Sequence, residues 1–280
     1  MEKFENTYSE NKITFAVFGD IHGALDKMFA VCESYENIYS EKIDYILQSG
    51  DLGVFHYGSK LDKTTKRFAS KDPTELGCMP YISGEKISQI PVIFVSGNHE
   101  DFDFLSCYQN NYIDPYNKIF YLKSGEIFIV EKGELQIKIA GLGGIQPKDN
   151  LGKLQQKCGK YLDPKAISKL LSYEPGSIDI FLCHESPKTK QLCETMMSNE
   201  CGSEEIREII EKLQPKFCFY GHYNKTPEPY NIGNTIVIGM SMQGYFCLPN
   251  RKCNIAVVSV SRDKGLLNWN YKLLKKDEIY

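Results

Sequence analysis

Five times along this chain a short apolar run breaks off and is followed at once by a side chain able to bind a metal or move a proton. Ile13-Thr14-Phe15-Ala16-Val17-Phe18 leads into Gly19-Asp20-Ile21-His22-Gly23, and Tyr45-Ile46-Leu47-Gln48-Ser49 leads into Gly50-Asp51-Leu52-Gly53. Pro91-Val92-Ile93-Phe94-Val95-Ser96 ends in Gly97-Asn98-His99-Glu100. Later, Ile178-Asp179-Ile180-Phe181-Leu182-Cys183 reaches His184, and Phe217-Cys218-Phe219-Tyr220 reaches Gly221-His222-Tyr223-Asn224. Runs of this length, rich in β-branched and aromatic residues, read as buried strands of an α/β fold, whose sites lie at the strand ends. Any single end has an ordinary explanation, since a lone His is commonly structural and Asn after Gly is commonly a turn former. Four of the five histidines sit at such ends, and that concentration points to one shared site.

The connections support the class. Residues 24–39 carry apolar side chains at helical spacing (Leu25, Met28, Phe29, Val31, Tyr35, Ile38), so strand, turn, helix and the next strand over 44–49 form a parallel crossover. Residues 54–90 break the rhythm and read as an irregular excursion, a functional loop or an exposed insertion. A short helix is expected over 101–108. The runs 118–122, 126–130 and 135–140, with turn residues between them, predict antiparallel hairpins and the start of a second sheet. Asp163-Pro164 and Ser203-Glu204-Glu205 open two further helices, and 235–240, 244–248 and 254–260 read as closing strands. The tail from Leu266 alternates and predicts an edge strand.

With 280 residues and no composition break, the expectation is one domain over 1–280, with a core at about 13–262. Ten cysteines with no C-x-x-C pair read as reduced thiols of a cytoplasmic, intracellular protein. No apolar run approaches the roughly 18 residues of a membrane span, so no membrane partner is expected. The formal charge of -3 excludes a global basic field for nucleic acid and leaves only a local patch. Lys148, Lys153, Lys157, Lys160, Lys165 and Lys169 against Asp149 and Asp163 give such a patch, an excess of +4. It reads either as a solvated loop and helix face or as a phosphate contact.

Carboxylate, imidazole and amide oxygen are donors that divalent Mn, Fe or Zn accept, and Asp20, His22, Asp51, Asn98, His184 and His222 together suit two cations sharing one carboxylate. Such a pair would acidify a shared water, polarise phosphoryl oxygens and align an in-line attack on a phosphoester. His99 is the natural proton donor to the departing oxygen, with Glu100 or Asp101 available to hold its tautomer.

Taken in order, Gly19-Asp20-Ile21-His22-Gly23, Gly50-Asp51, Gly97-Asn98-His99-Glu100, His184 and Gly221-His222 resemble the five motif blocks of the calcineurin-like metallophosphoesterase superfamily, over roughly residues 13 to 240. That resemblance implies a four-layer sandwich of two mixed β-sheets flanked by helices and a dinuclear site. Asp20 and His22 would bind the first metal, Asp51 would bridge, Asn98, His184 and His222 would bind the second, and His99 would be the acid. Within the superfamily the chain is most similar to the RNA lariat debranching enzymes, through Tyr81-Ile82-Ser83-Gly84-Glu85-Lys86, the Gly141 to Gly144 stretch with the Lys-bearing loop after it, and Gly202-Ser203 to Gly221. A substrate-recognition loop over 145–165 carrying Lys148, Lys153 and Lys157 is implied.

Three departures stand out. Debranching enzymes typically have Cys where this chain has Asp20, and the last block usually ends Gly-His-x-His where this chain has Asn224. An amide oxygen at Asn224 is a weaker, harder donor than imidazole, which favours Mn over Zn at the first position. Leu52-Gly53 follows Asp51 where protein phosphatases would show Arg-Gly, which counts against that class. The leading expectation is a metal-dependent phosphodiesterase acting on 2'-5' branched RNA or a related nucleotidic diester. The alternatives are a phosphomonoesterase on nucleotide or protein, and a catalytically weak scaffold of the same fold.

Overall fold

The computed structural model describes residues 11–61, 63–108, 111–147, 159–198, 201–241, 255–275 and 278. The expected closing strand at 244–248 and the lysines Lys148, Lys153 and Lys157 lie outside them. The first unit is as expected: strand β1 (Lys12–Phe18), helix α1 (Leu25–Tyr39) and strand β2 (Tyr45–Gln48), with β1 and β2 parallel. Residues 54–90 form a chain of short helical turns, with α2 (Lys63–Ala69), a 3-10 turn at Pro73–Leu76 and α3 (Met79–Ile82). Strand β3 (Val92–Phe94), helix α4 (Phe102–Ser106, capped by Asp101) and strand β4 (Ile119–Tyr121) follow.

Strand β4 corrects one expectation. It pairs parallel to β3, Val92 opposite Ile119, and belongs to the first sheet, not to an antiparallel ladder opening the second. Ile119 joins the core under α1 while Phe120 packs toward the other sheet, so both faces are covered. A three-residue strand of that kind leaves no alternating pattern to read. The antiparallel hairpin begins one strand later, with β5 (Ile127–Lys132) and β6 (Leu135–Leu142).

The remaining elements are α5 (Pro164–Leu171), β7 (Ile180–Cys183), α6 (Lys190–Met196), α7 (Glu204–Leu213), β8 (Phe217–Tyr220), β9 (Tyr230–Ile232), β10 (Thr235–Gly239), β11 (Ile255–Asp263) and β12 (Leu266–Leu274). Asp163 caps α5 and Ser203 caps α7 through Ile206 N, where the sequence signals helix starts. Two six-stranded mixed sheets result, ordered β12-β11-β1-β2-β3-β4 and β5-β6-β7-β8-β10-β9. β1 to β4 run parallel in one, and β6, β7, β8 and β10 run parallel in the other. The tail strand β12 lies at an edge.

Strand periodicity sorts the core into layers. Ile13, Phe15 and Val17 of β1 pack with Ile137, Ile180, Leu182, Phe217 and Phe219 between the sheets. Their alternates Ala16 and Phe18 turn to α1 and its Leu25, Met28 and Phe29. On the far side Phe181, Cys183, Cys218 and Tyr220 meet Leu170 of α5 and Ile206, Ile209 and Ile210 of α7. Helix, sheet, sheet and helix stack as the expected four layers, and the two parallel rims come out at one end. Among the described residues, no helix is long and apolar enough to cross a membrane.

Candidate metal centre

Every one of the five expected strand ends opens on that common rim. β1 delivers Asp20 and His22, β2 Asp51, β3 Asn98 and His99, β7 His184 and β8 His222. The loops after β1 and β2 are tied by backbone bonds, Ile21 N and His22 N donating to Asp51 O (3.2 and 2.9 Å) and Gly23 N to Leu52 O (2.8 Å). His22, Asp51 and His222 all hold left-handed backbone, φ 45°, 54° and 66°. That region costs a non-glycine residue on the order of 1–3 kcal/mol and persists where surrounding structure over-determines it, often at functional sites.

Asp51 occupies the middle. Its Oδ1 accepts the backbone N–H groups of Asn98 (2.6 Å) and His99 (2.7 Å), so one oxygen is committed to holding the loop after β3. Its Oδ2 is left between two imidazoles, 3.9 Å from His22 Nε2 and 3.7 Å from His184 Nε2. Asp20 Oδ1 accepts from His222 N (2.9 Å), whereas Asp20 Oδ2 is buried with no hydrogen-bond partner. Asp20, His22 and Asp51 each offer an atom within 4.8 Å of the others.

The tautomer of His184 follows from its surroundings. Its Nδ1 lies 2.8 Å from the Ser49 carbonyl, which can only accept, so Nδ1 carries the proton and donates. The lone pair on Nε2 then faces Asn98 Oδ1 at 3.1 Å. With Nε2 unprotonated, two acceptors face each other beside a carboxylate oxygen, an arrangement that a bound cation or a proton on Nε2 satisfies. The His99 ring stands 5.4 Å from that of His22, and the His222 ring 5.2 Å from that of His184. Asn224 is exposed, in contrast to buried Asp20, His22 and Asp51.

Electrostatics point the same way. Burial pushes the Asp20 carboxyl up to about 6, against the pull of His184. Burial acts on Asp51 too, yet His184, His22 and His99 outweigh it and hold the carboxyl well below the usual range. His22 would be lowered by burial, but Glu75, Asp51 and Asp20 push it up to about 9. A desolvated acidic cluster thus draws protons onto neighbouring groups in place of other positive charge.

Further acidic groups surround the centre, and of these the sequence named only Glu100 and Asp101, as partners for His99. Glu75, from the 3-10 turn, sits 3.6 Å from His22 Nδ1. Glu100 is buried and receives Leu52 N (3.0 Å) and Val54 N (2.5 Å), and burial with Asp51 nearby pushes its carboxyl up to about 8. Asp101 caps α4 through Phe104 N and faces His56 Nε2 at 3.6 Å. Glu185 accepts from Tyr223 OH (2.8 Å) and Gln146 N (3.1 Å), linking the loops of His184 and His222 to the start of the lysine-bearing segment. The contacts of Glu75, Glu100 and Glu185 cross many residues of chain and no local pattern announces them, whereas the Asp101 cap is local.

The family model described as calcineurin-like phosphoesterase matches residues 13–225. Among curated relatives, the lariat debranching enzyme of Arabidopsis thaliana is 23% identical, covering 89% of this chain and 64% of its own length. Those of Drosophila melanogaster and Homo sapiens are each 26% identical over 74% of this chain, covering 42% and 41% of their own lengths. The chain therefore spans from about two fifths to just under two thirds of these relatives. Among solved structures, a dimetal phosphatase from Danio rerio aligns with a TM-score of 0.54 at 10% identity, covering 94% of this chain and 98% of that one, a likeness of fold.

Proposed function

Because the chain belongs to the calcineurin-like phosphoesterase family, we propose that it is a dinuclear metal-dependent phosphodiesterase, with 2'-5' branched RNA or a related nucleotidic diester as substrate. The observation that carries the reading is the Asp20, His22 and Asp51 cluster, three buried donors within 4.8 Å of one another with Asp20 Oδ2 unpartnered. In this reading Asp20 and His22 would hold the first cation, Asp51 would be shared, and Asn98, His184 and His222 would hold the second. The exposure of Asn224 favours a first position that does not depend on it. When bound, two divalent cations, Mn favoured by the oxygen-rich set and Fe or Zn also compatible, would activate water and neutralise charge building on the phosphoryl oxygens.

The chain's own groups do the rest. Ser49 fixes the His184 ring so that Nε2 faces the site, and the two N–H groups on Asp51 Oδ1 keep Oδ2 directed inward. His99, anchored by its backbone on the same carboxylate, would give a proton to the departing ribose oxygen. A nucleotidic substrate is supported by the likeness to lariat debranching enzymes and by a cleft of about 810 Å³ that begins at Ser96, two residues before Asn98. Phe102, Tyr121 and Tyr161 offer aromatic surface there, and Lys123 and Lys165 offer cations. The lysines Lys148, Lys153 and Lys157 are proposed as further backbone contacts.

The test is turnover of bis-p-nitrophenyl phosphate, the corresponding monoester and a synthetic branched RNA, each with and without Mn. Mn-dependent cleavage of the diester and of the branch is expected. Activity confined to the monoester would refute the diesterase reading, and no metal-dependent turnover of any of the three would refute an enzymatic role.

A further inference from the structure

The excursion over 54–90 supplies none of the proposed ligands, yet it packs against the loop that carries one. Its 3-10 turn Pro73–Leu76 is fixed by Asp72, whose Oδ1 accepts Thr74 N (2.9 Å) and Thr74 Oγ1 (2.6 Å). That turn stacks directly on the His22 loop. A Cβ on Gly23, itself at φ +80°, would lie 2.4 Å from Thr74 O and 2.5 Å from Glu75 O, and one on Gly77 would lie 2.4 Å from Gly23 O. Backbones this close leave little freedom in where the side chain of Glu75 emerges. It emerges buried, 6% exposed, with Oε1 3.6 Å from His22 Nδ1. The opposite edge of the same ring places Nε2 3.9 Å from Asp51 Oδ2. His22 is therefore held between two carboxylates, one on the proposed metal side and one behind it.

We propose that Glu75 is the positioning residue of His22: its carboxylate accepts a hydrogen bond from Nδ1–H and so keeps the Nε2 lone pair turned toward the cation shared with Asp20 and Asp51. The inference rests on the metal reading above. Metal-bound imidazoles usually donate their other N–H to a carboxylate or carbonyl, which fixes the tautomer and raises ligand basicity. The 3.6 Å separation is longer than a hydrogen bond, and closing it to about 2.8 Å needs less than an ångström of side-chain movement. The His22 Nδ1 atom is buried without a hydrogen-bond partner, so Glu75 is the group in place to meet it. His22 is also the sole imidazole proposed at the first position, which makes its orientation weigh more there than at the second. The excursion thus aims a ligand rather than supplying one.

The experiment uses the full chain as the parent, Glu75→Ala and Glu75→Gln. Mn binding is followed by calorimetry, and crystals soaked in Mn report occupancy of each position by anomalous scattering. Glu75→Ala is expected to weaken the Asp20–His22 position about 10- to 100-fold and to leave the Asn98–His184–His222 position unchanged. Glu75→Gln, which keeps an acceptor oxygen, should retain most of the affinity. First-position affinity in Glu75→Ala within twofold of the parent would overturn the proposal, as would equal losses at both positions in both variants, the mark of a merely structural role. If Glu75→Ala does not fold, the Zn-loaded parent decides by 15N NMR of the imidazoles. A slowly exchanging His22 Nδ1 proton is expected, and exchange as fast as free imidazole would refute it. A parent that binds no metal overturns the metal reading itself, whereas a parent that binds two ions with Glu75→Ala unaffected overturns the role of Glu75 alone.

Discussion

Replacing Gly97 by alanine adds one methyl group and is expected to disable the site while sparing the fold. The backbone of Gly97 is not left-handed, so alanine is conformationally acceptable there. The difficulty is contact: the new Cβ would stand 2.0 Å from Asp51 Oδ1, 2.3 Å from Asp51 N and 2.7 Å from Asp51 Cγ. Ordinary contact begins at 3.4 Å, so the carboxylate oxygen must retreat by about 1.4 Å (3.4 less 2.0 Å) and the Asp51 backbone nitrogen by about 1.1 Å (3.4 less 2.3 Å). Such a shift breaks the bonds from Asn98 N and His99 N and swings Oδ2 away from its place between His22 and His184. Overpacking of this kind costs about 1–3 kcal/mol in stability. A misplacement of about 1 Å in a catalytic constellation costs on the order of 100-fold in rate. Mn-dependent kcat/KM on bis-p-nitrophenyl phosphate should therefore fall at least about 100-fold with Mn affinity, while the far-UV circular dichroism stays native. Gly265→Ala is the control: its φ of +83° imposes strain of about 1–2 kcal/mol, but nothing lies within 4 Å, so activity should persist. If Gly97→Ala kept kcat/KM and metal affinity within twofold of the parent, the placement of Asp51 at the centre of the machinery would be wrong.

Three further outcomes follow from the same geometry. His99→Ala should lose about 10²- to 10⁴-fold on an ester with a poor leaving group and much less on a p-nitrophenyl ester, whose leaving group needs no proton; equal losses on both would refute the acid assignment. Asn224→His should leave the balance between Mn and Zn at the first position unchanged, measured by competition, because the exposed Asn224 is not needed there, and tighter binding with a shift toward Zn would show that this position meets the cation. Saturating Mn, at 100 times its Kd, should stabilise the chain by about 2.7 kcal/mol per site. Differential scanning calorimetry with and without chelator reads the shift, and an unmoved Tm would count against metal binding to the folded state.

Most of the site could be read from the sequence because parallel strands buried on both faces announce themselves as apolar runs, and the residue after each run is delivered to the rim by the geometry of the strand. Asp20, His22, Asp51, Asn98, His184 and His222 were legible for that reason, and helix starts at Asp163 and Ser203 were legible from cap chemistry. What stayed hidden depends on distant chain. The strand at Ile119–Tyr121 is too short to show whether its neighbour is Val92–Phe94 or the following hairpin. Glu75 lies in the stretch that reads only as an irregular excursion, and only the stacking of Thr74 and Glu75 on Gly23 turns it toward His22.

The two sheets explain why Asp51, rather than any other carboxylate, is the pivot. Asp20, His22, Asp51, Asn98 and His99 come from neighbouring strands of one sheet, and His184 and His222 from neighbouring strands of the other. Backbone bonds already cross that divide, His222 N to Asp20 Oδ1 at 2.9 Å and His184 Nδ1 to the Ser49 carbonyl at 2.8 Å. A carboxylate that is to serve imidazoles from both sheets has to stand where the rims meet, and it must keep one oxygen clear of backbone bonds. Asp51 meets both conditions, with Oδ1 bound to Asn98 N and His99 N and Oδ2 under 4 Å from His22 and His184. Asp20 also leaves one oxygen, Oδ2, unbonded, but its Oδ1 is tied to the His222 backbone and lies 3.9 Å from His184 Nδ1, the nitrogen turned to the Ser49 carbonyl and not the one that faces Asn98. The sandwich is therefore part of the proposed chemistry: cations bound at Asp51 would join the sheets, and loosening the sheets would part the ligands before any strand unfolds.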